Sequence, residues 1–340
     1  LKRNILKVFN FFLFLSIGIL LLYLAFRGID FQVLANEFKQ ASYGWVLLSL
    51  LFSLGGFIVR ALRWRLLIEP LGYTPGRLNT FYAVMIGYLA NFAFPRIGEV
   101  TKCGTLNRTE KIPLDSLIGT VIVERSIDVI TMIILIFVIF FSKIHFFGDF
   151  LTNQVFNPAI EGVSGYFTLP LIAWIVIVGG IGLVIGGLIL FRKRLARFTF
   201  IQKAFAIFKG IGGGLKSGFT MKRRGLFLLY TILLWTLYFL MTWVVVYALP
   251  STSNLQPIDG LFILVIGSIG IAVPVQGGIG AFHWIVSLGL TLYDIPKEDG
   301  LAFATLSHES QALFILLLGS FSMAMLAVRR RRKKKNVEQS

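Results

Sequence analysis

The sequence predicts an all-α polytopic membrane protein with about six full transmembrane helices and two re-entrant, broken-helix hairpins arranged as an inverted repeat. Three observations predict it. Of the 340 residues, 56% are hydrophobic and 14% charged, whereas a soluble domain is nearer half apolar and a quarter charged; the mean hydropathy is +0.80. The bases behind the formal net charge of +17 sit in short runs beside apolar spans, which is the positive-inside pattern and not a nucleic-acid surface. Finally, two long apolar segments break at a proline in the same way. Ile86-Gly87 precedes Pro95 by about two helical turns and Gly98 follows it; Ile266-Gly267, Pro274 and Gly277 repeat that spacing. Pro-interrupted apolar segments at matching places in two halves point to the binding site of a transporter.

Taken in order, Val8–Phe26 is long enough to cross a bilayer at 1.5 Å per residue. Its apolar run is too long for a signal peptide and no small-x-small cleavage site follows, so it reads as a retained span. Gln40–Val59 is the second span, closed by Arg60, Arg63 and Arg65 around Trp64 as a basic and aromatic interfacial end. Leu78 to Lys111 is the first broken element. It is apolar up to Pro95, then too polar to cross, with Arg96, Glu99, Lys102, Arg108 and Glu110. A hairpin that enters and returns on one side satisfies both halves, since non-helical backbone is tolerated only where protein or a cavity surrounds it.

Ser116–Ser142 is the next span, and Thr120, Glu124, Asp128 and Thr131 recur on one of its faces. An external segment at 143–167 leads to a span at 162–191. From Arg192 to Arg224 there are ten Lys or Arg and no acid, spaced by Phe198, Ile201, Phe205 and Phe208 as in a basic amphipathic helix on the cytoplasmic surface. Gly225–Leu249 crosses again. Leu261 to Tyr293 is the second broken element, and Leu301–Val328 the last span. Seven consecutive bases, Arg329 to Lys335, close it. The result is one transmembrane domain over 1–328, with repeat units at about 40–142 and 225–328. A cytoplasmic linker occupies 192–224, a basic disordered tail 329–340, and both termini are cytoplasmic.

The candidate transport residues follow from cost. Each charge inside a span costs on the order of 2.5–3.5 kcal/mol, so Glu124, Arg125 and Asp128 need a reason. One reading is a brace, with Arg125 and Asp128 paired three residues apart; the other is a hydrated site, favoured because one acid is left over. His308-Glu309 occupies the matching place in the second unit. Arg96 and Glu99 follow Pro95 where a half-helix starts, and a helix N-terminus attracts anions, with the guanidinium fork suited to phosphate. Asn91 precedes the break by one turn. Gly277, Gly278 and Gly280 let backbone approach a ligand or a neighbouring helix. Enzyme motifs are poor. His308-Glu309-Ser310-Gln311-Ala312 begins like a zinc-protease motif but has Ala at the second His position. Ser268 has no nucleophile-elbow context, and there is no Walker sequence. No enzyme, metal or cofactor is expected, and the single Cys103 excludes an intrachain disulfide.

Four groups of residues together resemble a known family: Arg63-Trp64 with Leu66-Leu67; Asn91-x3-Pro95-Arg96-x-Gly98-Glu99; Glu124-Arg125-x2-Asp128; and Pro274-x2-Gly277-Gly278-Ile279-Gly280. They are similar to the flippase-like family named for the transmembrane region of lysylphosphatidylglycerol synthase, the multiple peptide resistance factor. The resemblance covers nearly the whole chain. It implies a multi-pass protein of the bacterial inner membrane that moves an anionic or aminoacylated phospholipid between leaflets. Membrane lipids with anionic headgroups are then its partners, with no nucleic acid. Homo-oligomers and a separate lipid-modifying enzyme are further candidates. The synthase carries a soluble aminoacyl-transferase domain after its membrane region, whereas this chain runs into a basic tail at Ser340, so aminoacylation is not expected. Two other functions compete: a carrier for polyprenyl-phosphate-linked glycans, and a non-transporting membrane scaffold.

Overall fold

The computed structural model describes residues 2–143 and 223–338. Apart from their outermost positions, the expected external segment, the 162–191 span and the basic linker lie outside these residues. Numbered over the described residues, the helices are α1 (Lys2–Phe26), α2 (Phe31–Gln40), α3 (Tyr43–Ile68), α4 (Arg77–Ala93), α5 (Gly98–Glu110), α6 (Leu114–Ser142), α7 (Arg224–Trp243), α8 (Pro257–Ala272), α9 (Ala281–Leu290) and α10 (Lys297–Glu338). Among the described residues, three helical stretches are long and apolar enough to cross a membrane: Tyr43–Leu71, Arg224–Ala248 and Lys297–Arg329. A fourth arises if α1 and α2, bent by 87°, count as one. The 29-residue α6 is as long but carries Asp115, Glu124, Arg125 and Asp128.

Both proline breaks produce helix–turn–helix hairpins. In the first, α4 and α5 run antiparallel in close contact. A Cβ on Gly87 would lie 2.8 Å from the Gly98 carbonyl oxygen, and at the far end Glu110 Oε1 accepts from the Gly76 amide at 3.0 Å and Asn79 Nδ2 at 2.7 Å. In the second, a Cβ on Gly267 would lie 2.7 Å from the Phe282 ring, and one on Gly270 would lie 2.8 Å from the Phe282 Cα. The Ile-Gly pairs of the repeated pattern are thus the points where each returning arm crosses its partner. Side-chain volume there would separate the arms.

Around the hairpins, α3 packs antiparallel on α7. Gly55 and Gly56 face Leu237 and Tyr238, and Ser49 Oγ donates to the Met241 carbonyl at 2.7 Å. On the other side α10 packs antiparallel on α4, with Gly319 against Met85 and Leu89 and Arg329 Nη1 on Asn79 Oδ1 at 3.0 Å. Each hairpin has its own apolar core. One gathers Trp64, Leu67, Ala83, Cys103, Leu106 and Leu117; the other gathers Val245, Ile263, Val286, Leu290, Phe303 and Leu306. Outward faces carry Ile133, Phe137 and Phe141 on α6 and Leu313, Leu317 and Phe321 on α10. An apolar exterior of this extent belongs in lipid.

Two boundaries differ from the sequence reading. α3 does not end at Val59 but runs on through Arg60, Arg63 and Arg65 to Ile68, because Leu66, Leu67 and Ile68 continue its buried face. α10 continues through the basic run to Glu338, where a disordered tail was expected; Lys and Arg are good helix formers.

Because Gly76 and Glu110 touch, both ends of the first hairpin must lie on one membrane face. Cysteines at Thr74→Cys and Lys111→Cys in a Cys103→Ser background are therefore expected to react with an impermeant maleimide from the same side. Labelling from opposite sides would mean that α4 and α5 cross in series.

Candidate functional site

The charges of α3, α5 and α6 converge in one cluster beside the first hairpin. Arg60 and Arg63, three residues apart, lie on one face of α3, with Trp64 a turn from Arg60. Glu99 and Lys102 share the opening turns of α5. Glu124, Arg125 and Asp128 come from α6. Glu124 is fully buried and lies 2.7 Å from Lys102 Nζ, 3.0 Å from Arg60 and 3.3 Å from Arg125. Asp128 lies 2.6 Å from Arg63, 3.1 Å from Arg60 and 3.5 Å from Arg125. Glu99 lies 2.9 Å from Lys102 and 3.2 Å from Arg125 Nε. Aromatic groups line the cations. Lys102 Nζ sits 4.7 Å from the Trp64 ring centroid, Arg60 stacks near Tyr88, and Arg60 Nη1 donates to the Tyr238 hydroxyl at 2.7 Å. Trp64 Nε1 in turn donates to Thr120 Oγ1 at 2.9 Å.

Among the described residues, four cations face three carboxylates, an excess of one positive charge. Arg63 is wholly buried, yet its Nε and Nη1 have no hydrogen-bond partner among the described residues. The cluster has a closed side and an open one. Arg60, Arg63, Lys102 and Glu124 are sealed, whereas the side chains of Arg125 and Glu99 are 43% and 36% exposed. The opposite face of α5 turns Thr101, Gly104, Thr105 and Arg108 to a mostly apolar, open cavity of about 380 Å³, lined also by Ile86 of α4 and Met323, Leu326 and Ala327 of α10.

At the hairpin tips the two broken elements meet. Arg96 has left-handed backbone (φ 61°) and donates from Nη2 to the Ala272 carbonyl at 2.6 Å, at the end of α8. A Cβ on Gly277 would lie 2.6 Å from the Phe92 ring. Asn91 closes the first turn by accepting from the Gly98 amide at 2.8 Å, a cap reached across the Pro95 break. Gly277, Gly278 and Gly280 all have positive φ, at 60°, 82° and 82°. Gly280 in addition abuts the backbone of α1 at Gly18. Beneath this turn, His308 Nε2 lies 2.9 Å from the Gly277 carbonyl and Nδ1 lies 3.0 Å from Glu309 Oε1. His283 Nε2 lies 3.4 Å from the same Glu309 oxygen.

The structure therefore divides the sequence candidates into two groups. Glu99, Glu124, Arg125 and Asp128 come together. Asn91, Pro95, Arg96, Gly277, Gly278, Gly280, His308 and Glu309 belong to the tips. Arg96 makes no ion pair among the described residues; it bridges the hairpins. Sequence reasoning missed Arg60, Arg63 and Lys102 as members of the cluster, and His283 as the neighbour of Glu309. The signal for Arg60 and Arg63 was present, since Leu66, Leu67 and Ile68 continue the apolar pattern beyond them.

A lipid-facing helical exterior around two crossed hairpins and a buried charge cluster defines a multi-pass membrane protein. The chain belongs to the family of the lysylphosphatidylglycerol synthase TM region, whose pattern matches residues 11–319. It is also similar to the UPF0104 membrane protein MJ1595 of Methanocaldococcus jannaschii, 24% identical over 346 residues that cover 98% of this chain and 97% of that protein. No solved structure matches.

Proposed function

We propose that the protein is a lipid transporter that moves an anionic phospholipid between leaflets, with the open edge of the charge cluster taking the headgroup phosphate. The observation that carries this reading is the seating of Glu99. Its carboxylate lies between Lys102 Nζ and Arg125 Nε, a position that a phosphate oxygen suits equally well. Glu99 thus holds the place of the headgroup at rest and yields it to a phosphodiester. Arg125 is the accessible cation. The sealed charges behind it keep the site positive: with Glu99 displaced, four cations face only Glu124 and Asp128. The cavity on the other side of α5, whose volume is in the range of ligand pockets, offers apolar room beside Arg108.

Alternating access supplies the movement in this reading. Each unit runs helix, broken hairpin, helix, and α3 lies antiparallel to α7, as an inverted repeat requires. The Arg96–Ala272 and Phe92–Gly277 contacts link the two hairpins, so one cannot tilt without breaking them or carrying the other along. In this reading both ends of the described chain lie in the cytoplasm, which the basic runs favour, and the protein sits in a cytoplasmic membrane.

The test is reconstitution into vesicles with tail-labelled lipids of different headgroup. Phosphatidylglycerol is expected to exchange between leaflets and to be inhibited by other anionic lipids, while phosphatidylcholine is not. Exchange confined to a polyprenyl phosphate would reassign the same cationic edge to a glycan carrier. Exchange of no lipid would leave a scaffold.

A further inference from the structure

The geometry points to a binding site for one divalent transition-metal ion, formed by His283 of α9 and His308 and Glu309 of α10. Three ligand atoms, one from each residue, lie within 4.8 Å of one another, and both histidines are buried. The site lies under the Gly277 turn, away from the charge cluster, and does not depend on the lipid reading.

Hydrogen-bond bookkeeping fixes which atoms are free to ligate. The Gly277 carbonyl can only accept, so His308 Nε2, at 2.9 Å from it, carries the hydrogen. In the neutral ring Nδ1 is then a lone pair, aimed at Glu309 Oε1 from 3.0 Å. Two acceptors at that separation repel unless a cation lies between them. His283 presents Nε2 to the same oxygen at 3.4 Å, while its buried Nδ1 has no hydrogen-bond partner among the described residues. His308 is held as a metal-bound histidine commonly is, with one nitrogen free for the ion and the other donating to a backbone carbonyl that sets the ring.

Distances and donor types agree with a transition metal. With bonds of about 2.0–2.1 Å, adjacent ligands of a tetrahedral ion are about 3.3–3.4 Å apart. The two separations to Glu309 Oε1, 3.0 and 3.4 Å, lie near that edge; the three atoms together lie within 4.8 Å, so the two imidazoles draw together when the ion binds. Two imidazoles and one carboxylate suit zinc, iron, cobalt or nickel over the oxygen-preferring magnesium and calcium. Three protein ligands leave a coordination position open, and Glu309, with its side chain 43% exposed, faces the way in. An ion there would tie the start of α9 to α10 and brace the Gly277 turn, which carries the contact to Phe92 of the other hairpin.

The test uses the full chain in detergent, purified on a histidine-free tag in a Cys103→Ser background, stripped with chelator and dialysed against zinc or cobalt. One equivalent of zinc per chain is expected, together with intense visible absorption from four-coordinate cobalt and a rise in thermal midpoint with zinc. Glu309→Gln and His283→Asn should each weaken binding by more than about 100-fold, since losing even an orienting partner of a ligand costs about 10–100-fold. His145→Ala, which removes the third histidine of the sequence, should change nothing. Metal well below one equivalent in the unsubstituted protein would overturn the site, as would binding that survives in whichever of the two ligand variants remains monodisperse. In either case the three residues form only a hydrogen-bonded cluster that braces the Gly277 turn.

Discussion

Glu124→Gln is expected to lower folding stability by about 3–5 kcal/mol, the usual cost of removing one partner from a buried ion pair. Glu124 is fully buried and its oxygens face Lys102, Arg60 and Arg125. An amide of the same shape keeps the packing, but it leaves four cations around Asp128 and the half-exposed Glu99. The protein cannot hydrate Lys102 or Arg63, which are as deeply buried. The double variant Glu124→Gln/Lys102→Met should recover a large part of the loss, because it removes the cation that Glu124 holds most closely. Unfolding of the single and double variants in mild detergent measures the coupling. A single variant as stable as the parent would show that water reaches Glu124, and would move it from the sealed side of the cluster to the open one.

The second large effect is steric. Gly98→Ala is expected to cost about 1–3 kcal/mol or more, as overpacking at a tight contact does. The new Cβ would press on the Gly87 carbonyl oxygen and come within 2.6 Å of Asn91 Oδ1. The Gly87 oxygen belongs to α4 backbone, so relief requires the two arms to separate. Separation would also stretch the Asn91 cap on the Gly98 amide. Gly104→Ala, on the same helix with nothing within 4 Å of the new Cβ, is the control. It should be neutral or gain up to about 1 kcal/mol from helix propensity. Thermal unfolding of the pair separates the tight contact from any general effect of alanine in α5; equal behaviour would mean that the arms do not touch there.

These two sites show what the sequence made legible and what it hid. The hairpins were readable because Pro95 and Pro274 end a helix in a fixed way, and because Gly87 and Gly267 each stand about two helical turns before them. Those glycines are where the arms cross. The membership of the charge cluster was only half readable. Glu124 and Asp128 announced themselves by cost, since an acid inside an apolar helix must find a cation. Which cation answers is a tertiary fact, set by the packing of α3 and α5 on α6, and no spacing within α6 could reveal Arg60, Arg63 or Lys102. For the same reason His308 and Glu309 were visible as neighbours, whereas His283 reaches them only through the second hairpin. Arg96 shows the reverse case. Its place after a helix break suggested an anion site, yet the left-handed turn aims it at the Ala272 carbonyl, where it joins the two hairpins.

The most direct measurement is the rate of leaflet exchange of tail-labelled phosphatidylglycerol in vesicles holding the unsubstituted protein, the Arg125→Gln variant or no protein. Arg125 stands at the open edge with 43% of its side chain exposed, so its loss should spare the fold. It should slow exchange by about tenfold or more, the loss expected when one charge-assisted hydrogen bond to the moving headgroup disappears. Rapid exchange by the parent, slowed in a variant of unchanged thermal midpoint, is the expected result. Exchange by the parent no faster than in protein-free vesicles, or equally fast with Arg125→Gln, would contradict a headgroup site at this edge.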